Sequence, residues 1–520
     1  MPVDAISLEV FKNLFASVAE EMGVTLQRAS FSPNIRERLD FSCAVFDKEA
    51  RMVAQAAHIP VHLGSMPASV EYAVKTFQQL NEGDLIVLND PYRGGTHLPD
   101  VTMVSPVFDG DGVAFYVASR AHHADVGGMS PGSLPLSTEL YQEGLIIPPV
   151  LLRLSGWMND GVFQMILANT RNPEERMGDI EAQLAAHRVG EMRLRDMLVQ
   201  HGPPTVHEHA QALMAYSQRM TEAIVASIPD GTYSYVDMLE SDGQAEFDIP
   251  ICATINVSGS AMQVDFAGSA AQVLGNVNAV EAIVRSATWY CVRLLADEDV
   301  PVNHGCFAPV SVTTPAGSVV NPYFPAAVSV GNTETGQRVV DVVLGALAAA
   351  LPDRIPAAGQ GTMNNVTVGG WHQGRQFVYY ETIGGGHGAG PAGNGLSGRQ
   401  SHMTNTMNTP TESLEMTYPL RVWRYGLRPG SGGAGQHQGG MGIIREYEFL
   451  SEATVTLNME RRVKQPYGLA DGEPGQVGVN TLIQNGVSRK VGAKFTTRVQ
   501  PGDRLIIETP GGGGWGQAAR

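Results

Sequence analysis

The sequence predicts a mixed α/β (α+β) chain of several domains, with mixed and antiparallel sheets and several long helices. Three observations carry this expectation. The 520 residues exceed what one ordinary core accommodates. Helix-period apolar patterns and short β-branched or aromatic runs share the chain. One pair of such runs is separated by DGDG at 109–112, a strong signal for an antiparallel hairpin.

The chain opens on Leu8, Phe11, Leu14, Phe15, Val18 and Met22 at helical spacing, which predicts an amphipathic helix over 6–26. Strand-like runs follow at 84–90, 101–108 and 113–120. A second long helix is delimited at both ends: Asn172 can cap it, Pro173 suits the first turn, acids follow, and the pattern runs to Gly202. Strands resume at 233–239, 248–257 and 261–268, followed by helices over 278–297 and 336–351. The last ninety or so residues read mainly as short strands. Breaks near 230 and 430 then divide the chain into an N-terminal α/β domain (1–230), a central α/β domain (231–430) with a glycine-rich loop, and a mainly β C-terminal domain (431–520).

Composition narrows the function. Thirty-five Lys and Arg against 52 Asp and Glu give a net charge of −17, which argues against nucleic acid or an anionic membrane as the main partner. No apolar run is long enough to span a bilayer and the N-terminus lacks a basic-then-apolar leader, so a cytoplasmic location is expected. The four cysteines are scattered with no CxxC pair, which points to buried free thiols. Many of the 59 glycines gather in short runs at 384–390, 430–442 and 510–516. Such runs suit either close backbone approach, to a ligand or another subunit, or plain turns between strands.

The hairpin carries the chemistry. If DGDG closes it, residues whose numbers sum to about 221 face each other within about 5.5 Å. Asp100 then lies opposite Ala121, and His97 and Asp100 sit beside His122, His123 and Asp125 at one end of the ribbon. Two imidazoles with one or two carboxylates form a usual ligand set for Zn²⁺, Mn²⁺ or Fe²⁺. Histidines at strand ends also commonly just bond loop carbonyls. Spacing does not choose between His122 and His123, because neighbours on a strand face opposite ways and a one-residue slip exchanges them.

The stretches NIRERLDFSCAVFD (34–47), NDPYRGGTHLPDVT (89–102), RAHHADVGGMSPGS (120–133), ELYQEGLIIPP (139–149), GNVNA (275–279), PVNHGC (301–306) and ETIGGGHGAG (381–390) resemble the hydantoinase B family, in order along nearly the whole chain. The resemblance implies one subunit of an ATP-dependent hydrolase of cyclic amides such as hydantoins, oxoproline or lactams, with ketone carboxylase subunits as relatives. It implies a hydantoinase A-type ATP-binding partner that holds ATP and Mg²⁺, a hetero-oligomer, and Zn²⁺ or Mn²⁺ in this chain. Carried over by motif, the implied metal ligands are Asp40, His97, Asp100 and His122. His123 and Asp125 become candidates for orienting a ligand or moving protons. Arg93 and Arg120 flank the motifs and could receive a phosphate leaving group, and His387 lies in the 384–390 run. A ketone carboxylase subunit and a non-catalytic scaffold for the partner are the rival readings.

Overall fold

The computed structural model describes residues 3–56, 59–110, 112–296 and 300–518. Asp111 of the expected turn and Asp297, the last residue of the expected 278–297 helix, lie outside the described residues.

The opening helix α1 (Ala5–Ala29) starts from a reciprocal cap, in which the Ser7 amide donates to Asp4 Oδ1 at 2.7 Å and the Asp4 amide donates to Ser7 Oγ at 2.9 Å. Its expected face is buried through Phe11, Phe15, Val18 and Met22, and the face extends to Leu26. After the short α2 (Pro33–Arg36) come β1 (Phe41–Asp47), β2 (Met52–Ala56), α3 (His62–Thr76), β3 (Leu85–Leu88), β4 (Asp100–Asp109), β5 (Gly112–His122), β6 (Val150–Leu154) and β7 (Trp157–Met158). The seven strands form one sheet in the order β2-β1-β5-β4-β3-β6-β7, antiparallel at every pairing. Helix α4 (Asp160–Ala168) leads into α5 (Pro173–His201), which has the predicted bounds: Asn172 caps it and Gly202 ends it. Pro203 then starts α6 (Pro203–Ala226), a helix that the sequence patterns above do not predict.

Polar side chains on α5 fix it to the sheet. Gln183 Nε2 donates to the Val101 carbonyl and to Ser119 Oγ, each at 3.2 Å. His187 is buried between Ser105 Oγ at 2.7 Å from Nδ1 and Ser119 Oγ at 3.0 Å from Nε2. Asp179 accepts from the Phe31 and Ser32 amides at 2.9 and 3.0 Å, which anchors the segment leading into β1.

The central region builds β8 (Gly231–Ser241), β9 (Glu246–Ser258), β10 (Ala261–Asp265), α7 (Glu281–Arg293), β11 (Val310–Thr313) and α8 (Gly336–Ala350). Its sheet, β11-β10-β9-β8, contains a parallel pair, β10 with β11, and α8 lies against β8 and β9. The rest comprises β12 (Asn365–His372), β13 (Arg375–Glu381), α9 (Thr411–Thr417), β14 (Leu420–Leu427), β15 (Ile443–Phe449), β16 (Ala453–Asn458), β17 (Val479–Gln484), β18 (Val487–Val491), β19 (Lys494–Val499) and β20 (Arg504–Glu508). These strands form two antiparallel sheets, β13-β12-β16-β19 and β14-β15-β20-β17-β18. Their pairings cross residue 430, and a single apolar cluster containing Val366, Leu420, Tyr447 and Ile507 joins them. No helix among the described residues is long and apolar enough to cross a membrane.

The glycine runs pack on one another. The Gly386 amide donates to Pro510 O, Gly440 to His387 O, Gly512 to Gly440 O and Gly433 to Gly512 O, at 2.8–3.1 Å, with no regular strand assigned to any of these segments. The backbones touch closely enough to exclude a side chain: a Cβ on Gly386 would lie 1.9 Å from Gly440 O and 2.3 Å from Gly512 N. No helix starts directly after the 384–390 run, so it lacks the geometry of a phosphate loop.

Two outcomes are expected. Gly386→Ala forces backbone against backbone and should destabilise the chain by about 2–3 kcal/mol in denaturant unfolding; an unchanged midpoint would contradict this packing. Burial also lowers the His187 pKa to about 3, so the folded state holds this imidazole neutral where an unfolded chain binds a proton. Its contribution is therefore complete above the unfolded value and is lost as pH falls below it. Between about pH 7 and about pH 5 the wild type should lose about 2 kcal/mol more stability than His187→Gln. Parallel losses would show that the residue is not held neutral.

Candidate metal centre

Three neighbouring strand ends create the site. The hairpin ladder carries an irregularity between Val107 and Phe108, which leaves Ala114 without a partner on β4. The register beyond it moves by one residue, so Asp100 pairs with His122 and not with Ala121 as the turn alone predicts. On the other side of β5, Phe41 pairs with Ala121, and the His122 amide donates to the Asp40 carbonyl at 3.0 Å. Asp40, His122 and Asp100 thus stand side by side on adjacent strands, whose spacing is about 4.8 Å.

His97 arrives from the loop before β4. Gly94 takes φ +88°, and a Cβ there would lie 2.5 Å from the Ala68 carbonyl of α3, so glycine is required for the loop to turn under that helix. His97 Nδ1 donates to the Ser329 carbonyl at 2.9 Å, which leaves the Nε2 lone pair free, 3.4 Å from Asp100 Oδ1. His122 Nδ1 lies 3.8 Å from the same oxygen, and its Nε2 is buried without a hydrogen-bond partner among the described residues. One donor atom from each of His97, Asp100 and His122 falls within 4.8 Å of the others.

The structure adds His62, the first residue of α3. Its Nδ1 meets Ser42 Oγ at 2.9 Å, while its buried Nε2 faces Asp100 Oδ2 at 3.6 Å, too far for a hydrogen bond, and has no other partner among the described residues. Nothing in the sequence marks it, because it stands alone, far from the two motifs. The remaining Asp100 oxygen contact comes from Thr96 Oγ1. The cavity between these groups is about 20 Å³, room for a water or a bare cation, and Ile59, Val61, Asn332, Thr333, Met363, Tyr380, Thr382, Met403 and Thr404 complete its lining.

Electrostatics favour lone-pair donors at His122 and Asp100, and favour the protonated form at His97 and Asp40. Burial pushes His122 well below the ordinary imidazole range, so it stays neutral despite the Asp100 charge. Burial would raise Asp100, but the facing His97 and then His62 hold it well below the usual carboxylate range. For His97 burial acts downward, and the Asp100 charge overrides it to raise the pKa. Asp40 is pushed up to about 7, chiefly by burial and also by Asp100, against the pull of Arg38. The Arg38 guanidinium is 3.7 Å from Asp40 Oδ2 and is tied to the Tyr380 carbonyl and Thr382 Oγ1. Two imidazoles and the Asp100 carboxylate lie close enough to share one cation, with Asp40 lining the same cavity outside that three-residue group, and such nitrogen and oxygen donors fit Zn²⁺ or Mn²⁺.

The expected proton-handling pair is not brought to this cavity. His123 points from the other side of the chain, as strand alternation requires, and its Nε2 meets Gln183 Oε1 at 3.0 Å. Asp125 is consumed by the amides of Gly127, Gly132 and Arg171 and by the Arg171 guanidinium at 2.8 Å. Arg120 is fully buried and held by Thr102, Ser65 and Ser69, and Arg93 pairs with Asp90 at 3.4 Å, so neither reaches the cavity. His387 Nε2 bonds the Gln400 carbonyl at 2.7 Å and does not line the cavity.

Residues 4–518 match the family described as hydantoinase B/oxoprolinase. The chain is 41% identical over 538 residues to 5-oxoprolinase 1 of Arabidopsis thaliana, covering 99% of this chain and 42% of that protein. It is 32% identical over 542 residues to a protein of Pseudomonas sp. (strain NS671) assigned as the B-type subunit of a D-/L-hydantoinase, covering 99% and 90%. Among solved structures, the ATP-dependent caprolactamase from Pseudomonas jessenii superposes with a TM-score of 0.92 at 30% identity, over 99% of this chain and 92% of that one. The chain spans about two fifths of the length of the 5-oxoprolinases it matches. On motif order, length of match and superposition alike, the chain belongs to the hydantoinase B/oxoprolinase family.

Proposed function

We propose that the chain is the metal-binding subunit of a two-component, ATP-dependent hydrolase of cyclic amides, with Asp40, His97, Asp100 and His122 as ligands to Zn²⁺ or Mn²⁺. The observation that supports it most is the buried His97–Asp100–His122 cluster, with one donor atom from each residue within 4.8 Å of the others, beside a His122 Nε2 that has no partner among the described residues. The chain spans 42% of one single-chain 5-oxoprolinase and 90% of a relative assigned as a subunit, which supports a separate partner supplying the remaining function. That partner is an A-type subunit that binds ATP and Mg²⁺ and converts the amide oxygen of the substrate into a phosphate ester. A hetero-oligomer in the cytoplasm accords with this division of labour.

When bound, the cation supplies Lewis acidity, lowering the pKa of a water toward neutrality and polarising the carbon–oxygen bond under attack. This chain's residues prepare the place. Ser329 holds the His97 proton on Nδ1, so Nε2 presents its lone pair. Asp100 supplies anionic charge at a position fixed by Thr96 and by the β4–β5 ladder. Tyr380 packs against the His122 ring at 4.6 Å between centroids, and its hydroxyl donates to Asn365 Oδ1 at 3.0 Å, which keeps that ring from turning. Ile59, Val61, Met363 and Met403 limit bulk water. His123 and Asp125 serve in this reading as supports: the Gln183 bond fixes the backbone after His122, and the Asp125 bonds hold the 125–132 loop.

His97→Ala and His122→Ala should each lower metal affinity by more than the roughly ten- to hundred-fold that loss of an outer partner costs, with ATP-driven ring opening lost in the reconstituted pair. Elemental analysis and turnover with the partner check this. Full metal occupancy in both variants would contradict the ligand assignment, and incorporation of labelled bicarbonate without ring opening would move the chain to the carboxylases.

A further inference from the structure

The cavity around His97, Asp100 and His122 holds about 20 Å³, too little for any cyclic amide. Immediately outside it lies an open groove of about 680 Å³. The two share walls. Asp40 lines the cavity and Leu39 the groove; Thr404 lines the cavity and Asn405 and Thr406 the groove. The partition between them is a hydroxyl cluster: Thr382 Oγ1, on the cavity side, meets Thr406 Oγ1 at 2.8 Å, accepts from Gln400 Nε2 at 3.0 Å and accepts from the Arg38 guanidinium at 3.0 Å. Thr404 Oγ1 joins it at 3.2 Å from Thr406. Within this wall the side-chain contacts are polar and exchangeable: a rotation of the Thr382, Thr406 and Gln400 side chains exchanges their bonds for bonds to a polar ligand.

The groove's charge runs against that of the molecule. The chain carries −17, yet the groove is lined by Arg36, Arg399 and a single acid, Glu37. Arg36 is paired with Glu37 at 3.1 Å. The Arg399 side chain is exposed and has neither an ion pair nor a hydrogen bond among the described residues. Its backbone is fixed at both polar groups by Gly385, with each amide donating to the other residue's carbonyl at 2.9 Å, so an unpaired guanidinium is mounted on the rigid glycine bundle at the groove wall. A free guanidinium in a polar cleft matches a phosphoryl or carboxylate group geometrically and by charge.

We propose that this groove is the binding site for an anionic, phosphoryl-bearing small molecule, with Arg399 holding the anionic group and the Thr382–Thr406–Gln400 wall passing the ligand's reacting end to the metal cavity. The identification of the ligand as the activated substrate rests on the function proposed above; the anion site itself rests on the groove alone.

Two measurements on the full chain separate these. Orthophosphate titrated into metal-free protein by calorimetry reads the groove: binding is expected, weakened about ten-fold or more in Arg399→Gln and largely restored in Arg399→Lys. Absent binding, or equal affinity in the wild type and Arg399→Gln, would overturn the anion site. With Mn²⁺ loaded, the ³¹P line of orthophosphate reads proximity to the cavity: strong broadening is expected, lost in Arg399→Gln and in Thr406→Trp at unchanged Mn²⁺ content and unchanged melting temperature. Broadening that survives in both variants would overturn the route. A wild type that takes up no Mn²⁺ would instead overturn the proposed metal centre, while calorimetry on the metal-free chain still decides the groove.

Discussion

The pairing of Asp100 with His122 across β4 and β5 is the constraint on which the rest depends. An antiparallel ladder permits only whole-residue shifts, and each shift turns every side chain to the other face. The irregularity at Val107–Phe108 takes up one such shift before the strands reach the site. Without it, Asp100 would face Ala121, and no imidazole on β5 would stand opposite the carboxylate. The third strand, β1, follows the same logic, because its pairing with β5 sets Asp40 next to His122. Helix α5 then locks the arrangement from behind: Gln183 and His187 bond to both β4 and β5, so the two strands cannot slide independently.

The distant half of the chain closes the site and shapes access to it. Ser329 orients His97, Tyr380 and Thr382 come from the end of β13, and residues 403–406 separate cavity from groove. Close to Thr382 in the chain, the glycine runs pack backbone on backbone, carbonyl to amide, a contact that any Cβ would abolish. The same bundle mounts Arg399 at the groove.

Much of this was legible in the sequence. Helix α5 could be read to its ends because a cap, a proline and a terminal glycine are local signals. The meeting of His97 and Asp100 with the AHHAD stretch followed from one turn signal. Its register did not, because a β-bulge is set by packing of the two faces and leaves no mark in the turn. Asp40 was visible only through kinship, since an aspartate among arginines reads as an ion pair, and at 3.7 Å Arg38 does stand beside it. His62 carried no signal at all: it reaches the site through the fold of α3 over the sheet. The glycine runs announced close approach, but not that the runs approach one another. His123 and Asp125 were favoured by proximity in sequence, and alternation along the strand together with the pull of Arg171 takes them elsewhere.

The central claim is that three adjacent strand ends and one glycine-hinged loop clasp a single cation. Crystals grown with Mn²⁺ and measured at its absorption edge test this directly. The expected result is one strong anomalous peak about 2.0–2.3 Å from donor atoms of His97, Asp100 and His122. An anomalous map without density there, or with its peak at any other group of side chains, would contradict the account.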